Sequence, residues 1–90
     1  MLVTIFTPTY NRANLLGRLY LSIKQQRFDD FEWIIVDDGS TDNTHDVVMG
    51  FIEERIVPIK YLFKHNGGKH RAINEGVRQA SGDLFFIVDS

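Results

Sequence analysis

The sequence predicts an α/β domain built on a doubly wound, mostly parallel sheet with helices on both faces. Four short apolar runs read as strands: LVTIFT (2–7), FEWIIVD (31–37), IKYLFK (59–64) and LFFIVD (84–89). Between each successive pair, apolar residues recur at helical spacing. Strands alternating with amphipathic helices imply right-handed crossovers and parallel neighbours.

The first run is β-branched or apolar throughout, the pattern of a strand buried on both faces, and Pro8 closes it. Leu15, Leu16, Leu19, Tyr20 and Ile23 then share one helical face, with Asn11 as the expected cap. Gly17 costs that helix about 1 kcal/mol relative to alanine and is expected to let it lie close to the sheet. After FEWIIVD, with Trp33 as core or edge cover, Val47, Val48, Phe51 and Ile52 repeat the spacing, with Ser40, Thr41 or Asp42 as cap. Pro58 ends the connection to the third strand. Ala72, Ile73, Gly76, Val77 and Ala80 show the spacing a third time, and Ser81-Gly82 ends that helix with glycine near the C-cap. Asp83 is the turn residue before the last strand.

Ninety residues make one domain or less, and an apolar content of 43% with eleven aromatic residues supports one core rather than disorder. The net charge of −2 lacks the basic excess of a nucleic-acid binder. Without cysteine, disulfides and thiolate metal sites are excluded. No apolar run reaches the ~20 residues that span a bilayer, and no basic n-region opens a secretory signal, so the expected location is cytoplasmic.

In a doubly wound sheet, ligands bind along the edge where the strands end, at the point where strand order reverses. This chain places Thr7-Pro8-Thr9-Tyr10-Asn11, Asp37-Asp38-Gly39-Ser40, His65-Asn66-Gly67-Gly68-Lys69 and Asp89-Ser90 at those ends. A carboxylate there can accept from a nucleobase ring N–H or a ribose hydroxyl, and the Tyr10 ring offers a stacking face. Gly67-Gly68-Lys69 before a helix supplies backbone N–H groups, a helix N-terminus and one cation, a set that suits a diphosphate. Asp89 could hold a divalent metal that neutralises it. Each residue also has a plain alternative. Tyr10 can pack at the helix start, Asp37 can fix a loop, and Lys69 can be solvated.

In this order, TIFTPTYNRANLLGRLYLSI, DDFEWIIVDDGSTDNT and HNGGKHRAINEGVRQASGDLFFIVDS resemble the N-terminal half of a family 2 glycosyltransferase with the Rossmann-like GT-A fold. The most specific parts are PTYNR, VDDGSTD and the N-x-G-x-x-x-A-x-N-x-G-x-x-x-A-x-G-D pattern of residues 66–83. The resemblance implies that Pro8, Thr9, Tyr10 and Asp38 contact uracil or another base, with Asp37 supporting the loop or the base from behind. Lys69 would approach the donor diphosphate, and Asp89 would be the first aspartate of the D-x-D metal motif. The implied activity is transfer of a sugar from a nucleotide-diphosphate sugar, expected to be UDP-linked, to a saccharide or lipid acceptor with inversion. It also implies Mn or Mg in the full-length parent, a role in polysaccharide biosynthesis, and peripheral association of the parent with the inner face of the membrane. Residues 1–90 would be the nucleotide-sugar-binding part, cut just after the D-x-D motif begins, with the catalytic base beyond Ser90. Such a fragment is expected to be inactive alone and to self-associate through its uncovered fourth strand.

Other functions fit less well. The chain lacks the G-x-G-x-x-G of dinucleotide oxidoreductases after its first strand and the G-x-x-x-x-G-K-[ST] of P-loop NTPases. It also lacks the glycine-rich first loop of nucleotidyltransferases. A phosphoacceptor receiver module would put its acidic pair after the first strand, where Thr7 stands. A nucleotide-binding remnant without transferase activity shares all 90 residues with the fragment reading.

Overall fold

The computed structural model describes residues 2–26, 30–65 and 69–88, the last stretch with its side chains from Ile73 onward. Its elements alternate as the periodicity predicts: β1 (Val3–Thr9), α1 (Ala13–Gln25), β2 (Phe31–Asp37), α2 (Thr44–Glu54), β3 (Ile59–Phe63), α3 (Lys69–Gln79) and β4 (Leu84–Ile87). The strands form one sheet in the order β3-β2-β1-β4, and every pair is parallel. The order runs one way from β1 to β3 and then returns to place β4 on the far side of β1. The reversal therefore lies between β1 and β4.

The twofold alternation of the central strands divides the core between the two faces of the sheet. Val3, Ile5, Trp33 and Ile35 meet Leu16, Tyr20 and Ile23 of α1 and Val48 of α2. Phe6, Ile34 and Val36 face the other way, toward Ile73 of α3, Ala80, Leu62 and Phe85. Trp33 is a core residue: it is fully buried, its indole N–H donates to Thr7 Oγ1 at 2.9 Å, and Tyr20 and Phe51 stack around it at centroid distances of 6.3 and 6.2 Å. Tyr20 turns its hydroxyl outward to donate to Glu54, so the ring is buried while the polar tip keeps a partner.

Four details differ from the sequence-based expectation. β1 does not stop before Pro8 but continues through it, pairing Pro8 with Val36 and Thr9 with Asp37. Phe6 O accepts from Val88 N on the β4 side and Thr9 O accepts from Asp38 N on the β2 side. Backbone groups alternate sides along a strand, so the N–H that Pro8 lacks would point toward β4, beyond the last ladder pair Phe6–Ile87. The missing donor costs nothing there. Asn11 does not cap α1; Arg12 holds that position without a side-chain bond. At α2 the cap position is Asn43, and the side chain that meets the helix is Asp42, whose Oδ1 accepts from Thr44 N at 3.0 Å.

The fourth difference concerns glycine. A Cβ at Gly17 would meet nothing within 4 Å, so close packing does not explain it. At Gly76 a Cβ would lie 2.3–2.7 Å from three atoms of the Phe6 ring. Gly76 is what lets α3 rest on the sheet.

A polar staple at the opposite end of the strands escaped the sequence reading. Glu32 is buried on the α3 face, where its Oε2 accepts from Thr4 Oγ1 at 2.6 Å and Ser81 N at 2.7 Å. Lys60 Nζ lies 3.2 Å from Oε1, and Gly82 N donates to Thr4 Oγ1 at 2.9 Å. Asp83 adds a backbone pair with Leu2 and accepts from Leu2 N through its side chain at 3.1 Å. Together they fix the entry to β4.

Gly76→Ala should destabilise the chain by about 1–3 kcal/mol, because the fully buried Phe6 has no room to yield. Gly17→Ala should stabilise it by about 1 kcal/mol. Urea unfolding of both variants tests the contrast, and a neutral Gly76→Ala would refute the close approach. Among the described residues β4 pairs only with β1, and Leu84, Phe86 and Ile87 are 41%, 51% and 50% exposed. An apolar strand at a sheet edge is a template for pairing with another chain. Light scattering of the 90-residue chain should therefore show dimers or larger species at ordinary concentrations, and a clean monomer throughout would refute this.

Candidate functional site

The parallel order brings the ends of all four strands to one edge. The loop after β1, carrying Tyr10 and Asn11, lies at the reversal of strand order and next to the loop after β2. Asp38 N donates to Thr9 O at 2.9 Å, so the acidic turn begins directly beside the end of β1. Gly39, at φ 83°, then turns the chain in a conformation that glycine adopts without steric penalty.

The two adjacent aspartates are separated by that geometry. Asp37 is fully buried. Its Oδ1 accepts from Ser40 N at 2.8 Å, and its Oδ2 accepts from the Tyr61 hydroxyl at 2.6 Å. Burial pushes the Tyr61 phenol up from its ordinary value, and the bond to Asp37 pushes it further. With both oxygens engaged and no exposed surface, Asp37 acts through the loop it holds. Asp38 is partly exposed at the edge.

Tyr10 is 45% exposed, so packing at the start of α1 leaves much of its ring available. Pro8 and Thr9 are buried as the last residues of β1. Thr9 Oγ1 is the single buried side-chain polar atom without a hydrogen-bond partner among the described residues. A buried hydroxyl left unpaired costs about 1–3 kcal/mol, which a bound partner would offset. Lys69 opens α3, on the same edge. Its side chain lies outside what the structure describes, as do Gly67, Gly68 and Asp89.

Two residues that the sequence reading did not assign to the site hold it together. Asn11 bridges the loops after β1 and β2, and Tyr61 reaches from β3 to Asp37. Tyr61 carries no local signal, and Asn11 stands inside the PTYNR segment but shows its bridging role only across the separation to residues 40–42. Among the described residues no three His, Asp or Glu side chains gather where they could hold a metal ion. The described residues thus do not by themselves build the expected cation site.

The family model for glycosyl transferase family 2 matches residues 4–90. A validoxylamine A glucosyltransferase of Streptomyces hygroscopicus is 42% identical over 93 residues, covering 99% of this chain and 22% of its own length. A GalNAc(5)-diNAcBac-PP-undecaprenol beta-1,3-glucosyltransferase of Campylobacter jejuni is 36% identical, covering 97% of this chain and 28% of its own. Among solved structures, S. aureus TarS in complex with UDP superposes with a TM-score of 0.90 at 31% identity, over 100% of this chain and 27% of that one. The mannosyltransferase PcManGT of Pyrobaculum calidifontis, in complex with GDP-Man and Mn2+, gives 0.87 at 32% identity over 97% and 26%. The chain thus spans about a quarter of the length of the proteins it resembles.

The Asp37–Tyr61 pair makes an alkaline prediction. A phenol raised above its unfolded value of 10.0 keeps its proton in the folded state. Its stabilising contribution is therefore complete below pH 10 and is lost as pH rises beyond it, because the unfolded chain releases the proton first. Tyr61→Phe should cost about 1–3 kcal/mol at neutral pH by leaving Asp37 Oδ2 without its donor. The variant should then lose less further stability than the parent chain between about pH 9 and 11. Urea midpoints across that range test both statements, and parallel slopes would refute the second.

Proposed function

The chain belongs to glycosyl transferase family 2, and from that premise we propose that it forms the donor-binding part of an enzyme that transfers a sugar from a UDP-sugar to a saccharide or lipid acceptor with inversion. The observation that supports this reading is the adjacency, at the strand-end edge, of the exposed Tyr10 ring and the unpaired Thr9 hydroxyl at the end of β1 with the partly exposed Asp38 after β2. The TarS complex with UDP supports the choice of nucleotide, and the name of the Campylobacter relative supports a lipid-linked acceptor. Such an acceptor would hold the parent at the inner face of a membrane.

In this reading the exposed Tyr10 ring stacks on the base, and the Asp38 carboxylate accepts from a pyrimidine ring N–H. Asp37 does not touch the ligand; it fixes the turn that presents Asp38. The N-terminus of α3, opened by Lys69, lies on the same edge and favours the negative charge of the diphosphate. The Mn2+ of the PcManGT complex supports a divalent metal in the parent, which would neutralise charge on the departing diphosphate. The described residues do not build that site, and acceptor activation lies outside these 90 residues in the proposal. Sugar transfer by this chain alone is therefore not expected.

Calorimetric titration with UDP tests the reading. The chain should bind in the high micromolar range or weaker, with little gain on adding Mn2+. Asp38→Asn should weaken binding by about 1–3 kcal/mol, the usual cost of a lost hydrogen bond to a charged group. Equal affinity for the variant would remove Asp38 from the site. A gain of about tenfold or more with Mn2+, or 1.4 kcal/mol, would show that the chain already carries a working metal site.

A further inference from the structure

We infer that Asn11 is a positioning residue for the donor nucleotide, locking the loop after β1 onto the loop after β2 so that Tyr10 and Asp38 are held at a fixed separation. The inference rests on the nucleotide-binding reading above and adds to it a residue that does not itself contact the ligand. Asn11 Oδ1 accepts from two successive backbone N–H groups, Thr41 at 2.8 Å and Asp42 at 3.2 Å, and the Thr41 hydroxyl lies 3.5 Å away. The Asn11 N–H donates to Ser40 Oγ at 2.8 Å, and Ser40 N donates in turn to buried Asp37. An unbroken chain of hydrogen bonds thus joins Asp37, the covalent neighbour of Asp38, to Asn11, the covalent neighbour of Tyr10.

The residue type fits this double task. Asn11 sits at φ 51°, in the left-handed region that glycine and asparagine tolerate better than other residues. Glycine would satisfy the backbone but could not accept the two N–H groups. Asparagine supplies both the conformation and the acceptor. With Oδ1 spent on the neighbouring loop, Asn11 acts by fixing the two loops and not by accepting from the base.

That division permits a test with two variants of the 90-residue chain. Asn11→Gly keeps the positive φ and deletes the acceptor, whereas Asn11→Asp keeps an oxygen in its place. Affinity is read from amide chemical shifts during titration with UDP, and with uridine because an added carboxylate would also repel a diphosphate. Asn11→Gly should weaken UDP binding about tenfold, the equivalent of one or two hydrogen bonds. In the same variant the Thr41 and Asp42 amide resonances should move while those of the core strands stay. Asn11→Asp should keep uridine affinity within about threefold of the unaltered chain. Unchanged UDP binding by Asn11→Gly would overturn the clamp, as would an equal loss of uridine affinity in both variants. Failure of the unaltered chain to bind UDP would overturn the nucleotide reading itself.

Discussion

The C-terminal edge of the sheet depends on the burial of the Asp37 carboxylate. A buried carboxylate persists only where donors replace the water it has lost. Tyr61 and Ser40 N supply them, and each brings an element with it. Tyr61 ties in β3, whose register is closed by Lys64 N donating to Asp37 O at 2.8 Å. Ser40 folds the acidic turn back over the strand end, leaving Asp38 at the edge. The two adjacent aspartates at the end of this buried strand therefore have separate roles. One is the anchor of the turn, and the other is what the turn presents.

The same strand repeats this device at its other end. Glu32 lies five residues earlier on the opposite face, where it gathers Thr4, Ser81 and Lys60. Burial raises its carboxyl, but the Thr4 hydroxyl, the Ser81 N–H and Lys60 outweigh that effect and hold it below the usual value. Lys60 is about half exposed, so its ion pair is screened and the two short neutral-donor bonds are the firmer part of the staple. β2 is therefore pinned to β3 at its C-terminal end and to the α3–β4 connection at its N-terminal end. That second pin governs where β4 starts.

The fold was legible because its signals are local and redundant. Apolar runs of strand length alternate with helical spacing, and the bounds of β2 read from the sequence agree with the structure. Burial of both faces holds for the central strands β1 and β2, whereas the equally apolar runs of β3 and β4 lie at the sheet edges and stay partly exposed. The end of β1 was not legible, since whether Pro8 breaks a ladder depends on which side its absent N–H faces. Glu32 gives no signal inside FEWIIVD, because its partners lie 28 and 49 residues away. The prominent site residues stand at strand ends and could be named from chemistry. Asn11 and Tyr61 could not, because their roles exist only after the loops and strands are brought together.

Three local features that each cost a little stability fall on consecutive residues where function is proposed. Thr9 buries an unpaired hydroxyl, Tyr10 leaves an aromatic ring 45% exposed, and Asn11 holds a positive φ. The other non-glycine residue with positive φ among those described is Arg55, which ends α2 in the common left-handed cap. Each feature of residues 9–11 gives up a little stability: a hydrogen bond, apolar burial, or backbone ease. Exposed apolar side chains occur elsewhere too, at Leu21, Ile56, Phe63 and Val77, but among the described residues the unpaired buried hydroxyl occurs at Thr9 alone. A bound base would cover the ring and give the hydroxyl a partner, while the bonds to residues 40–42 already offset the strain at Asn11. Under the proposed nucleotide reading the strained residue is settled in advance, and the exposed ring and the unpaired hydroxyl remain for the ligand.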